Sequence, residues 1–130
     1  MEHWMGRHSE LFYSAMRIVA GLLFACHGAQ KLFGVIGAES PAADPLLIGA
    51  GIIEFFGGLL IALGLWIGYV AFIASGQMAV AYFKAHAPQG FWPIVNKGEL
   101  AVLYCFVFLF IASKGSGRCS IAALKRKKSR

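Results

Sequence analysis

Between Leu11 and Phe33 the chain is almost wholly apolar, and comparable runs follow at about residues 46–67, 68–85 and 98–113. Runs of this length and polarity constrain a chain more than any motif does. A helix needs about 20 residues to cross the hydrocarbon core of a bilayer, and in lipid the backbone must satisfy its own polar groups. The sequence therefore predicts an all-α integral membrane protein: a transmembrane bundle of four helices spanning residues 11–33, 46–67, 68–85 and 98–113. Composition agrees. Charged residues make up 14% of the chain and hydrophobic residues 58%, whereas a soluble domain carries about 25% charged residues. Arg17 inside the first run and the lack of a following small-x-small site argue against a cleaved secretory signal.

The breaks between the runs carry the expected punctuation. "GVIGAESPAADP" and "HAPQGFWPIVN" are rich in Gly, Pro and small polar residues and read as loops. Gly64 and Gly68 allow a tight reversal between the second and third runs, with Trp66 and Tyr69 suited to the membrane interface. Net charge is +6, and seven of the twelve Lys and Arg lie beyond residue 113. A basic cluster after an apolar segment marks the cytoplasmic side and suits anionic lipid rather than nucleic acid. The loops at residues 35–45 and 87–96 contain no Lys or Arg, so they are expected outside. Both termini are then cytoplasmic, with residues 1–113 forming one four-span domain and 114–130 a basic, solvated tail.

Counting along the spans puts nearly all the intramembrane polar residues in the outer half. His27 and Lys31 are i and i+4 and share a face. Glu54 has Ala50, Gly51, Gly57 and Gly58 at helical spacing, a small-residue face that lets a neighbouring helix come close. A charge at mid-span costs about 2.5–3.5 kcal/mol on insertion scales, so such residues face inward and pair. Lys31, with or without His27, is expected against Glu54, and Lys84 against Glu99. Gln77 lies deeper in the third run, Tyr104 deeper in the fourth. Arg17, towards the inner side, is expected to reach the interface or to meet Glu10. The three cysteines, Cys26, Cys105 and Cys119, form no CxxC and support no metal site. Whether Cys26 and Cys105 are packing residues or a redox pair stays open.

The residues also carry a resemblance. "RIVAGLLFACHGAQKLFG" resembles the first-helix signature of the DoxX family, an arginine and a glycine followed by His-Gly-x-x-Lys-Leu-Phe. "IEFFGGLLIALGL" is similar to the second helix, and "MAVAYFKAHAPQGFWPIVNKGELAVLY" to the third-to-fourth helix region. "GSGRCSIAAL" is similar to the closing Gly-x-Gly-x-x-Ser segment. The likeness covers roughly residues 14–124. Two positions depart from it: Ala122 stands where an aspartate is common, and the turn in "LWIGYV" lacks an arginine. The resemblance implies a small multi-pass inner-membrane protein. Some relatives are subunits of membrane oxidoreductases, a thiosulfate:quinone oxidoreductase among them, and others are tied to thiol or oxidative-stress systems.

Three functions follow as expectations. The first is a subunit of a redox system that binds a quinone between helices. His27, Lys31 and Tyr104 would donate to its oxygens, Glu54, His86 and Glu99 would join a polar or proton-relaying cluster, and Phe24, Phe55 and Phe106 would flank the ring. Without a haem, flavin or metal motif in the sequence, electrons would come from a partner oxidoreductase subunit or a soluble donor. The second is a non-catalytic anchor or scaffold for a partner enzyme. The third, a small-solute or proton transporter, is disfavoured by the lack of an internal repeat.

Overall fold

The computed structural model describes residues 1–129, and within them every regular element is helical. A short helix α1, Glu2–Arg7, leads into α2, Ser9–Phe33; α3 is Pro45–Leu63 and α4 Ile67–Ala81. A π-helical turn, Tyr82–His86, and a 3-10 turn, Ala87–Gln89, continue from α4; then come α5, Pro93–Asn96, α6, Glu99–Lys114, and α7, Ile121–Lys128. Helices α2 and α3 are long and apolar enough to cross a membrane. Helices α4 and α6, of 15 and 16 residues, are shorter.

Local chemistry explains the boundaries. Asp44 caps α3 by accepting from the Leu46 N–H at 2.9 Å, and Pro45 sits at the first helical position, where no N–H is needed. Gly64 ends α3 in the left-handed conformation, at φ 77°, and the backbone N–H groups of Gly64 and Leu65 cap Leu60. The reversal therefore falls at Gly64–Trp66, a few residues before the end expected for the second run. Gly68 already lies inside α4. At the other end of α4 the helix widens: the Ala87 N–H bonds to the Tyr82 carbonyl, five residues back. Pro88 has no N–H to continue an α-helical ladder, so the regular helix stops at Ala81 rather than at residue 85.

Packing occurs mainly in pairs, α2 on α3 and α4 on α6, joined through α3 and α4. The α2–α3 contact is made by glycine. A Cβ on Gly58 would lie 2.5 Å from both the Ala25 nitrogen and the Gly21 oxygen, and a Cβ on Gly28 would collide with the Phe55 backbone. The two backbones thus touch, as small-residue interfaces in membranes allow. The α4–α6 side is filled by larger groups: Ile67, Ala71, Ala74 and Met78 pack with Tyr104, Phe108 and Ile111 around Phe24. On the outside, Leu23, Ile52, Phe72 and Phe106 are each roughly half exposed or more. Apolar surface on this scale suits hydrocarbon rather than water.

The basic tail departs from the solvated segment expected for it. Lys114 belongs to α6 and pairs with Glu10 at 3.0 Å. Arg17 neither reaches an interface nor meets Glu10. It is fully buried and donates to the carbonyls of Ile61 and Ala62, at the end of α3, and of Cys119. The α3 C-terminus presents unpaired carbonyls and the negative end of its dipole, which is a favourable place for a guanidinium. Ser120, 7% exposed, packs on Gly64 and caps α7 by accepting from the Ala123 N–H at 3.1 Å. The closing segment is therefore tied to the helices by Arg17.

Candidate functional site

The polar side chains at the C-terminal end of α2 are set by the two packing modes just described. Close α2–α3 contact brings Lys31 onto Glu54. Lys31 Nζ donates to Glu54 Oε1 at 2.5 Å, and Gln77 Nε2, from α4, donates to the same oxygen at 2.7 Å. Glu54 is 1% exposed. Its Oε2, and Gln77 Oε1, are buried with no hydrogen-bond partner among the described residues. One carboxylate oxygen thus joins three helices while the other is unspent.

Larger residues between α2 and α6 leave a cavity of about 220 Å³ beside this cluster. Its polar lining is His27, Lys31, His86, Lys97 and Tyr104, and the buried Phe24, 1% exposed, borders it. The Tyr104 ring stacks on Phe108, at 5.2 Å between centroids, and meets the edge of His27 at 6.3 Å. The His27 ring and the Tyr104 hydroxyl make no hydrogen bond among the described residues. His86 is different. Its Nδ1 lies 3.0 Å from the Asn96 carbonyl oxygen, which can only accept, so Nδ1 carries the proton and Nε2 is the acceptor in the neutral ring.

Asn96 holds this end in shape. It is 1% exposed, donates its amide to the Gly90 carbonyl and the Tyr82 hydroxyl, and accepts from the Gly98 N–H. The folded loop sets Lys97, at φ 59°, into the cavity lining, and the π-helical turn supplies His86. Among the described residues no carboxylate lines the cavity. Glu54 stands behind Lys31, so the lining is rich in donors and cations. Such a lining has the chemistry to meet a group whose oxygens accept hydrogen bonds.

Of the residues named from sequence, His27, Lys31, His86 and Tyr104 meet at the cavity, and Glu54 adjoins it through Lys31. Glu99 is exposed in the first turn of α6 and does not line the cavity. The expected Lys84–Glu99 pair does not form: among the described residues the ion pairs are Lys31–Glu54 and Lys114–Glu10. Lys84 instead lines a groove with Leu47 and Ala50 of α3. Phe24 is the aromatic at the cavity, whereas Phe55 packs on Phe33 and Phe106 faces outward. Cys26, Cys105 and Cys119 are all free, with Cys105 Sγ 3.5 Å from Ser75 Oγ. Lys97 and Gln77 are the members that sequence reasoning left out of the site. Gln77 had the same signal as Glu54, a polar group deep in an apolar run. Lys97 had none, because the loop fold alone brings this exposed residue to the cavity edge.

The DoxX family model matches residues 12–87, the region holding Arg17, His27, Lys31, Glu54, Gln77 and His86. An uncharacterized protein of Haemophilus influenzae is 39% identical over 122 residues, covering 88% of this chain and 91% of that one. No solved structure matches. With more than half of its length matched, including the Lys31–Glu54–Gln77 cluster and most of the polar groups around the cavity, the chain belongs to the DoxX family.

Proposed function

We propose that the protein is a redox-system subunit of an inner membrane, crossing the bilayer four times as a helical bundle with both termini cytoplasmic, and that it binds a quinone at the outer end. The observation that carries this reading is the 220 Å³ cavity lined by His27, Lys31, His86, Lys97 and Tyr104 against Phe24. A quinone has a flat ring and two carbonyl oxygens. The ring suits the apolar part of the lining, which includes Leu100 and Ala101, and the oxygens take hydrogen bonds from the unspent Tyr104 hydroxyl, the His27 ring and the lysine ammonium groups. Reduction adds two electrons and two protons. His86 Nε2 can take up a proton and pass it on. Lys31 links the cavity to Glu54, whose unpartnered Oε2 is a second proton acceptor. Electrons come from a partner subunit or a soluble donor on the outer side.

The orientation is supported by charge. The four basic residues of α7 follow the last long helix, and the loops at the Lys31 end lack Lys and Arg over residues 35–45 and 87–96. The test is gentle solubilisation followed by native mass spectrometry and quinone extraction. The parent protein is expected to retain quinone, and His27→Phe to lose it while keeping its melting temperature. A parent free of quinone, isolated with a partner enzyme, would replace this reading with that of an anchor or scaffold.

A further inference from the structure

The cavity continues along one flank of the molecule. Helix α2 packs chiefly on α3 and α6 on α4, so the backbones of α2 and α6 stand apart and are bridged by side chains, Phe24 on Tyr104 and Phe108 among them. An apolar groove of about 240 Å³ runs along the seam between them. Val19 and Leu23 of α2 form one wall, and Leu103 and Val107 of α6 the other. Leu100 and Tyr104 line both the groove and the cavity. Leu100, Leu103, Tyr104 and Val107 are spaced i, i+3, i+4 and i+7, so they form one stripe on α6, about 10 Å long at 1.5 Å per residue. The groove therefore starts at the polar cavity and leads towards the Arg17 half of the molecule between half-exposed apolar side chains.

We infer that this seam receives the tail of the ligand whose head sits in the cavity. The ligand is then a membrane-borne amphipath, a flat oxygen-bearing head on a long apolar chain, that enters sideways from the bilayer between α2 and α6. This rests on the functional reading above and deepens it from a ring to a tailed molecule. Size supports it: 220 Å³ is below the roughly 300–1,000 Å³ of pockets that enclose a drug-sized ligand, so the cavity takes a ring-sized head and a chain must lie elsewhere. A second apolar groove, of about 500 Å³ beside Phe83, Trp92 and Phe106, meets the cavity at Met78 and Ala101. Both of those residues are buried in the α4–α6 packing, as is Tyr104; Leu100, shared with the smaller groove, is 52% exposed and is the one surface-accessible residue of the four, so the smaller groove is the favoured path to the head site.

The experiment uses the full chain in lipid nanodiscs and two probes: decylubiquinone, and its head alone, a dimethoxy-dimethyl-benzoquinone. Affinities are compared between variants, so partition of each probe into lipid cancels. Leu103→Trp fills the groove from α6 and Val19→Trp from α2; both positions are more than half exposed and lie outside the cavity. Each is expected to weaken decylubiquinone about tenfold and to leave the head-only probe unchanged. Val102→Trp, in the second groove, is expected to change neither. Undiminished decylubiquinone binding in both groove variants overturns the inference, and so does a loss confined to Val102→Trp, which puts the tail across Met78 and Ala101. Binding of neither probe by the parent protein removes the functional reading itself and the tail site with it.

Discussion

Lys31 of α2 donates to Glu54 of α3 at 2.5 Å, with side-chain exposures of 31% and 1%. The pair is buried on one partner only, which makes its loss asymmetric. Breaking a buried pair by removing one member leaves an uncompensated charge and costs about 3–5 kcal/mol. Partial exposure of Lys31 puts both single substitutions near the lower end of that range. Lys31→Met strands the carboxylate beside Gln77, and Glu54→Gln strands the ammonium. The double variant removes both charges and is expected to recover a substantial part of the loss. Unfolding of all four proteins in the same detergent measures the coupling; additive losses would show that the contact carries no energy.

Gly57 and Gly58 are adjacent but face different neighbours. A Cβ on Gly58 would press into α2 at 2.5 Å from two backbone atoms, whereas one on Gly57 would meet only Val70 at an ordinary 3.6 Å. Gly58→Ala is therefore expected to destabilise by about 1–3 kcal/mol through forced separation of α2 and α3. Gly57→Ala is expected to be neutral, or stabilising by up to about 1 kcal/mol, because alanine is the better helix former. Melting temperatures in detergent separate the two, and equal shifts would mean that the helices do not meet at Gly58.

The Lys31–Glu54 contact and the small face around Glu54 were legible in the sequence because lipid makes polarity conspicuous. An ionisable group within an apolar run has few alternatives to a partner. What stayed hidden involves groups without a letter of their own. Arg17 is held by three backbone carbonyls, and every residue has a carbonyl, so no residue type announces the partner. The glycines of α2 were unremarkable until Gly58 was set against them. Lys97 reaches the cavity edge because Asn96 folds the loop, a tertiary effect that no helical spacing encodes. The presence of the long helices was visible from apolar length, but the ends of α3 and α4 and the π-helical turn that delivers His86 were not.

Orientation has a direct check. In a background with the three native cysteines replaced, Ser40→Cys and Gln89→Cys are expected to react with a membrane-impermeant maleimide added outside intact cells. A cysteine added after Ser129 is expected to react only after lysis. Both loop positions reacting only after lysis would invert the proposed topology, and with it the side from which protons and electrons reach the cavity.

Arg17 joins three segments that are far apart in the chain: α2, the end of α3 and the closing segment before α7. Hydrogen bonds to a charged group are each worth about 1.5–3 kcal/mol, and a buried carbonyl left without a donor costs about 1–3 kcal/mol. Arg17→Met is therefore expected to destabilise by about 3 kcal/mol or more. Arg17→Lys is expected to restore little, since one ammonium on a different stem does not reproduce the fork by which Nη1 serves α3 and Nη2 serves Cys119. The losses should appear first at residues 115–120, where Ser120 would leave its place against Gly64. Limited proteolysis after Lys114 and Arg118 reads that release separately from global unfolding. Cleavage as slow in Arg17→Met as in the parent, with an unchanged melting temperature, would show that the segment is held by Ser120 packing alone and that the guanidinium contributes nothing to it.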